Sequence, residues 1–472
     1  MKIVFIFPHI GFFRHADSVV RQLCERGHTV KLLFGVLNKA KPAVTDRAVQ
    51  ACLEEVPNCT SGWLVARRGF WARILYVTRQ LINYRIYLNP KHPNPPIRIR
   101  WKTHFSNWVW RMVSSCLGEK LLASRVALSF LKIIEKLAPP DDGVVLELLD
   151  QQADVVVDVT NLVFNAPDVE YQKAAVALKI PSVIAIASWD NLTTKGTFHA
   201  MPDLVFVWNQ RLANEAIQLH KVQSERVIQI GAPTFDYLFH ARPTLTREDF
   251  CKQAGLETDH PYVLYLCSSV QISGNETSFV QEFLTSLQND PQTADVNVMV
   301  RPYPMNAGIW DGIRAPKMVV WPKKDEAPDI NSYKQNYFHS MYYSSLVVGV
   351  NTTAMIEAAI VDRPCVTILT EKYRSTQFGR GHFDHLIKGD FMELANSFDH
   401  SVELISKILA GNDQKSGNRR RFVNYFIRPR GMDRDVAALF AQAVELVAQG
   451  KSSTEIDKAL GVIKVDLPDG SE

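Results

Sequence analysis

The stretch Ser345-Leu-Val-Val-Gly-Val-Asn-Thr-Thr-Ala-Met-Ile-Glu-Ala-Ala-Ile-Val-Asp-Arg-Pro-Cys-Val-Thr-Ile368 constrains the fold more than any other. Leu346 to Val348 is a short apolar run of the kind buried in parallel sheets, and Gly349 ends it. Asn351, Thr352 and Thr353 are residue types that open a helix, and Ala354 to Ile360 supplies one. Asp362-Arg-Pro364 breaks that helix, and Cys365 to Ile368 is the next strand. A strand–turn–helix–strand unit of this kind exposes backbone N–H groups and the positive end of a dipole at the helix start, which suits a phosphate or diphosphate. Glu357 follows within reach of a ribose hydroxyl. An ordinary capped βαβ unit is the alternative.

The rest of the chain carries the same rhythm twice. Lys2 to Phe7 and Thr29 to Phe34 read as strands flanking a helix from about His15 to Arg26, with Pro8-His-Ile-Gly11 as a turn. No Gly-x-Gly-x-x-Gly follows the first strand, so no dinucleotide cofactor is expected. The rhythm lapses between Asn38 and about Asp150. It resumes with strands at Asp154 to Val159, Ser182 to Ala187, Leu204 to Trp208 and Val227 to Ile230. Further strands are predicted at Tyr262 to Cys267, Val296 to Val300 and Met318 to Trp321, with a Tyr-rich helix from Asn331 to Ser344. Asp433 to Ala448 reads as a last amphipathic helix, and the tail from Gly450 as loosely held.

These patterns resemble a known architecture. Gly-x-Asn-Thr-Thr before a helix bearing Glu-Ala-Ala, and ending at Arg363-Pro364, resembles the donor-binding signature of GT-B glycosyltransferases. Gly11-Phe-Phe-Arg-His15 before a helix ending Glu25-Arg-Gly-His-Thr-Val30 resembles the start of their N-terminal domain, and Gly231-Ala-Pro-Thr-Phe-Asp236 their interdomain hinge. The resemblance implies an α/β fold of two Rossmann-like domains with a cleft between them, plus a helical insertion at about 38–150. The expected domains are an acceptor domain over 1–235, a nucleotide-donor domain over 236–432, and a C-terminal helix and tail over 433–472. By resemblance, Asn351, Thr352, Thr353 and Glu357 hold the donor nucleotide.

Strand ends supply the remaining candidates, because open α/β sheets bind ligands beyond the carboxyl ends of their strands. Arg301 is the candidate cation for the leaving diphosphate, with a surface arginine before a Pro-rich turn as the alternative. Ser268 and Ser269 end the preceding strand and are placed to touch phosphate or base, or simply to face water. His15 is the first choice for a base that deprotonates an acceptor hydroxyl, with Asp17 close by and Asp190 second. Gly11, Trp189 and Asn191 complete the acceptor side. His382 and His385, in a loop with Arg374, Gly379 and Gly381, are weaker candidates for the donor phosphate. Asp433-Arg-Asp435 has the form of the metal-binding motif of GT-A enzymes, but N-capping accounts for it, and no catalytic metal or cofactor is expected. No Gly-x-Ser-x-Gly supports a serine hydrolase.

Composition narrows the partners. The seven cysteines are scattered without a Cys-x-x-Cys pair, which fits reduced core residues in a cytosolic protein. Fourteen Lys/Arg against Glu119 and Glu135 make the window 61–136 +12, which leaves −8 elsewhere from the total of +4. Five of the nine tryptophans lie there too. This mixture suits an anionic membrane surface, with nucleic acid the less expected rival. The reading is a metal-independent glycosyltransferase that takes a nucleotide-sugar donor and a glycan or lipid-linked acceptor at the cytoplasmic membrane face. Relatives with other chemistry are the non-hydrolysing UDP-N-acetylglucosamine 2-epimerases and the CDP-glycerol glycerophosphotransferases. Tyr303 stands where the latter carry a His. A nucleotide-sugar-binding membrane scaffold is the non-enzymatic alternative.

Overall fold

In the computed structural model, residues 37–45, 161, 163–166, 323–329, 379–380, 462 and 464–472 are not described; all others are. Gly379 therefore lies outside the described residues. The chain forms two compact units, Met1–Asp236 together with Phe426–Val465, and Tyr237–Tyr425.

The first unit is built on a seven-stranded sheet. Its strands are β1 (Lys2–Phe7), β2 (Thr29–Phe34), β3 (Cys59–Trp63), β4 (Val155–Thr160), β5 (Ser182–Ile186), β6 (Leu204–Val207) and β7 (Val227–Gln229). The order is β3-β2-β1-β4-β5-β6-β7, all parallel. Parallel strands are covered on both faces, so β4 and β5 are buried at every position, as their continuous apolar runs require. The helix Asp17–Glu25 lays Val19, Val20, Leu23 and Cys24 on one face. The helix Val436–Ala448 adds Leu439, Phe440 and Val444 to the same core. Each such side chain contributes about 1.5–3 kcal/mol by leaving water.

Two buried arginines anchor this returning segment. Arg428 bonds Asp236 at 2.7 Å and Asp435 at 2.8 Å. Arg430 donates to the Gln229 and Gly461 carbonyls, both at 2.6 Å, and to Asp457. Asp435 holds the N-cap position of Val436–Ala448 but makes no side-chain capping bond, so its ion pair, not capping, accounts for its presence. Gly231 sits at φ +105°, where a Cβ would lie 2.7 Å from the Ile427 carbonyl oxygen, so this close approach needs glycine. Residues 450–461 are not loosely held. Ser453–Leu460 is a helix with a Ser452/Glu455 capping box, and it buries Ile456 and Leu460.

The lapse in rhythm after Asn38 is shorter than expected. The helix Arg47–Glu55 and β3 continue the alternation, with β3 pairing to β2. β3 reads Cys-Thr-Ser-Gly-Trp, a polar edge strand without the apolar run that marks a central one. The helical insertion follows. It holds helices Phe70–Ile86, Asn107–Val113, Cys116–Ala123 and Arg125–Leu137 around Tyr84, Tyr87, Trp101, Val113, Leu122 and Leu131. Arg79 joins it to the sheet domain, bonding Glu135 at 2.8 Å and Glu170 at 2.6 Å.

The second unit is a six-stranded parallel sheet. Its strands are β8 (Tyr262–Leu266), β9 (Asn297–Arg301), β10 (Met318–Val320), β11 (Leu346–Gly349), β12 (Cys365–Ile368) and β13 (Glu393–Ala395), in the order β10-β9-β8-β11-β12-β13. The central unit of the sequence takes its expected form, with β11 leading through Asn351–Thr353 into the helix Ala354–Ile360 and then to β12.

Candidate functional site

In both sheets the strand order runs outward in opposite directions from two neighbours, β1 and β4 in the first unit and β8 and β11 in the second. Connections leave such a pair to opposite faces and open a crevice at the carboxyl ends.

In the second unit the register aligns Gly349 with Leu266, and Leu266 with Arg301. Three strand ends therefore finish at one level. Ser268 and Asn351 lie just beyond, and the Asn351 N–H donates to Ser268 Oγ at 3.3 Å. Asn351 Nδ2 donates to the Thr376 carbonyl at 2.7 Å. The Asn351 backbone N–H and one Nδ2–H are thus used by the protein itself, and the residue ties two strand ends together. Thr352 and Thr353 stand at the helix start, half-buried, and Ser269 opens the short helix Val270–Ser273.

Arg301 is not a surface arginine. It is 3 % exposed. Its guanidinium lies 4.6 Å from the Tyr337 ring centroid and 5.3 Å from that of Tyr333. Nη1 reaches Ser340 Oγ at 3.5 Å, and Nη2 has no hydrogen-bond partner among the described residues. A buried donor left unbonded on a cation is costly unless an anion completes it.

Glu357 shares this neighbourhood. Its carboxylate accepts the Tyr337 hydroxyl and interacts with the Tyr237 phenol. Burial first, then the Glu357 charge, pushes both phenols well above their usual range, so they stay protonated as donors.

Sequence reasoning missed Glu276. It precedes the helix Thr277–Asn289 and is 2 % exposed. Its carboxylate accepts the Ser268 N–H at 2.9 Å and the Tyr265 hydroxyl at 3.3 Å. Burial pushes its pKa up to about 7. Only the Tyr-rich stretch before β11 hinted at the cage around Arg301. His382 and His385 are both buried, the latter within the helix Phe383–Lys388.

In the first unit, Ile10–His15 forms a 3₁₀ turn, and the Gly11 N–H donates to His9 Nδ1 at 3.2 Å. His15 ends that turn and is half-buried. It lines a pocket with Ala187, Trp208, Gly231, Pro233 and Thr234. Burial first, then the neighbouring Arg14 charge, pulls its pKa down to about 3, while Asp190 works in the opposite direction. The ring is therefore neutral near pH 7, and its Nδ1 has no hydrogen-bond partner among the described residues. Asp190 is held by Thr194 Oγ1 at 3.0 Å and Asn191 Nδ2 at 3.2 Å. The two base candidates are thus brought together. Asp17 instead pairs with Arg21 at 2.8 Å. Trp189 and Asn191 are buried at 3 % and 2 % exposure, and Asn191 Oδ1 closes the turn by accepting the Ser188 N–H at 2.9 Å.

No protein-family model matches the sequence, and no curated protein matches it. Solved structures do. A UDP-GlcNAc 2-epimerase from Neisseria meningitidis, solved with UDP-GlcNAc bound, has a TM-score of 0.52 at 10 % identity, over 96 % of this chain and 100 % of its own. A glycosyltransferase from Rickettsia africae has a TM-score of 0.50 at 9 % identity, over 97 % of this chain and 98 % of its own. At such identities the likeness is one of fold, and the fold this chain shares with them is GT-B.

Proposed function

We propose that the chain is a glycosyltransferase that moves a sugar from a nucleotide-activated donor to a hydroxyl of a cell-surface polysaccharide or glycolipid. The acceptor would be reached from the cytoplasmic face of the membrane. The observation that carries this reading is Arg301, a buried cation with an N–H left unbonded among the described residues, set at the strand ends beside Glu357.

In this reaction His15 takes the acceptor hydroxyl proton on a ring nitrogen as the acceptor oxygen bonds to the anomeric carbon. The bond from that carbon to the donor phosphate breaks, and the nucleoside diphosphate leaves with the electron pair. Arg301 and the helix start at Thr352–Thr353 meet the charge that develops. Asp190 stabilises the imidazolium that forms, and Glu357 accepts from a ribose hydroxyl.

The test is turnover of UDP-sugars and other nucleotide sugars by wild type and His15→Ala, with and without glycan acceptors. His15→Ala should lower kcat by about 10²–10⁴-fold with donor affinity unchanged. Burial and the Arg14 charge hold His15 well below its ordinary 6.5, so this group should cause no loss of kcat/KM as pH falls through 6.5. Without acceptor, wild type should give only slow hydrolysis. Conversion of the free UDP-sugar to its C2 epimer would replace this reading with an isomerase.

A further inference from the structure

The helical insertion has a second apolar surface that its own core does not use. In the helix Arg125–Leu137, Leu131 and Glu135 face inward. Val126, Phe130, Ile133 and Leu137 recur at the spacing of a single helical stripe and are all more than half exposed. The neighbouring helix Cys116–Ala123 buries Leu122 and exposes Leu117 and Leu121, four residues apart. Asn107–Val113, packed against it, buries Val113 and exposes Trp108 and Met112 with the same spacing. Soluble surfaces rarely gather this many large apolar side chains without a partner.

Charge sorts in the same way. Lys102, Arg111, Lys120, Arg125, Lys132 and Lys136 are exposed. The two acids of the segment are drawn inward. Glu119 accepts the Tyr84 hydroxyl at 2.6 Å, and Glu135 pairs with Arg79 at 2.8 Å and Lys173 at 3.2 Å. The outer surface of these helices is thus apolar and basic with no exposed acid among the described residues of 101–137. No helix among the described residues is long and apolar enough to cross a membrane, so the fitting geometry is a helix lying in the interface.

We propose that helices Asn107–Val113, Cys116–Ala123 and Arg125–Leu137 dock on an anionic lipid bilayer, with the Trp108 and Phe130 side chains entering the headgroup boundary and the lysines and arginines meeting lipid phosphates. This assigns the surface, and it stands independently of the reaction proposed above because its readout is binding alone.

The experiment is flotation of the full chain with phosphatidylcholine vesicles, with and without phosphatidylglycerol. Wild type should float with the anionic vesicles, less so as salt rises, and little with phosphatidylcholine alone. Each lysine near the surface is worth about fivefold in affinity. Lys132→Glu/Lys136→Glu should therefore weaken binding by about 25-fold or more. Trp108→Ser/Phe130→Ser should weaken it by about tenfold or more. A matched reversal elsewhere, Lys388→Glu/Arg421→Glu, should leave it unchanged. The proposal is overturned if wild type fails to float with anionic vesicles, or if all variants float equally. It is equally overturned if sedimentation velocity shows a wild-type dimer that Trp108→Ser/Phe130→Ser dissociates while neither protein binds vesicles, since the face would then serve self-association.

Discussion

Arg428 in the first unit and Arg301 in the second are both buried, and they are treated in opposite ways. Arg428 in the first unit is held between Asp236 and Asp435, with another donor on the Met432 carbonyl at 2.7 Å. Arg301 in the second unit is held by rings and one long contact, and its Nη2 is left unbonded among the described residues. A buried charge set between two carboxylates is a structural joint; one with no carboxylate in ion-pair range among the described residues is a cost to the empty protein that a ligand can repay. The strand ends differ in the same sense. The first unit places a neutral imidazole near an aspartate, suited to moving a proton. The second places a cation, a carboxylate and protonated phenols together, a set of hydrogen-bond donors and an acceptor. The same sheet topology sets where each site lies, and a handful of side chains sets its chemistry.

The contrast can be broken first at Arg428. Arg428→Ala leaves Asp236, 5 % exposed, without its partner, and should cost about 3–5 kcal/mol in urea unfolding. A loss under about 1 kcal/mol would show that Arg428 is no joint. The next effect comes from the second unit. Glu276 has its pKa at about 7 in the fold against an ordinary 4.5. The folded state keeps a proton that the unfolded chain releases, so stability should fall by about 3 kcal/mol as pH rises through that window, and then level off. Glu276→Gln should flatten this dependence; an unchanged slope would mean that other groups cause it.

Much of this was legible because parallel strands announce themselves as continuous apolar runs. β4, β8 and β11 lie where those runs lie, and residues placed by position beyond strand ends, such as Ser268, Arg301 and Asn351, do cluster. What stayed hidden is what three-dimensional neighbours decide. β3 is an edge strand without the run. Glu276 is an ordinary helix-start glutamate until burial beneath Ser268 changes its proton affinity. Asp435 reads as a cap until Arg428 claims it. The helix at Ser453–Leu460 carried a readable Ser-x-x-Glu signal that the polarity of the tail obscured. Within the basic window, composition did not separate Arg67 and Arg79, which are spent on internal ion pairs, from the exposed lysines.

The proposed reaction rests on Arg301 as the partner of a nucleotide phosphate. Isothermal titration of UDP, CDP, GDP and ADP into wild type and Arg301→Met isolates that contact, because Met keeps the bulk between Tyr333 and Tyr337 while removing the charge. One of these nucleotides should bind wild type, and the variant should lose about 1.5–3 kcal/mol of that affinity while its unliganded stability is equal or higher. Equal affinity in both proteins, or binding of none of the four, would contradict it.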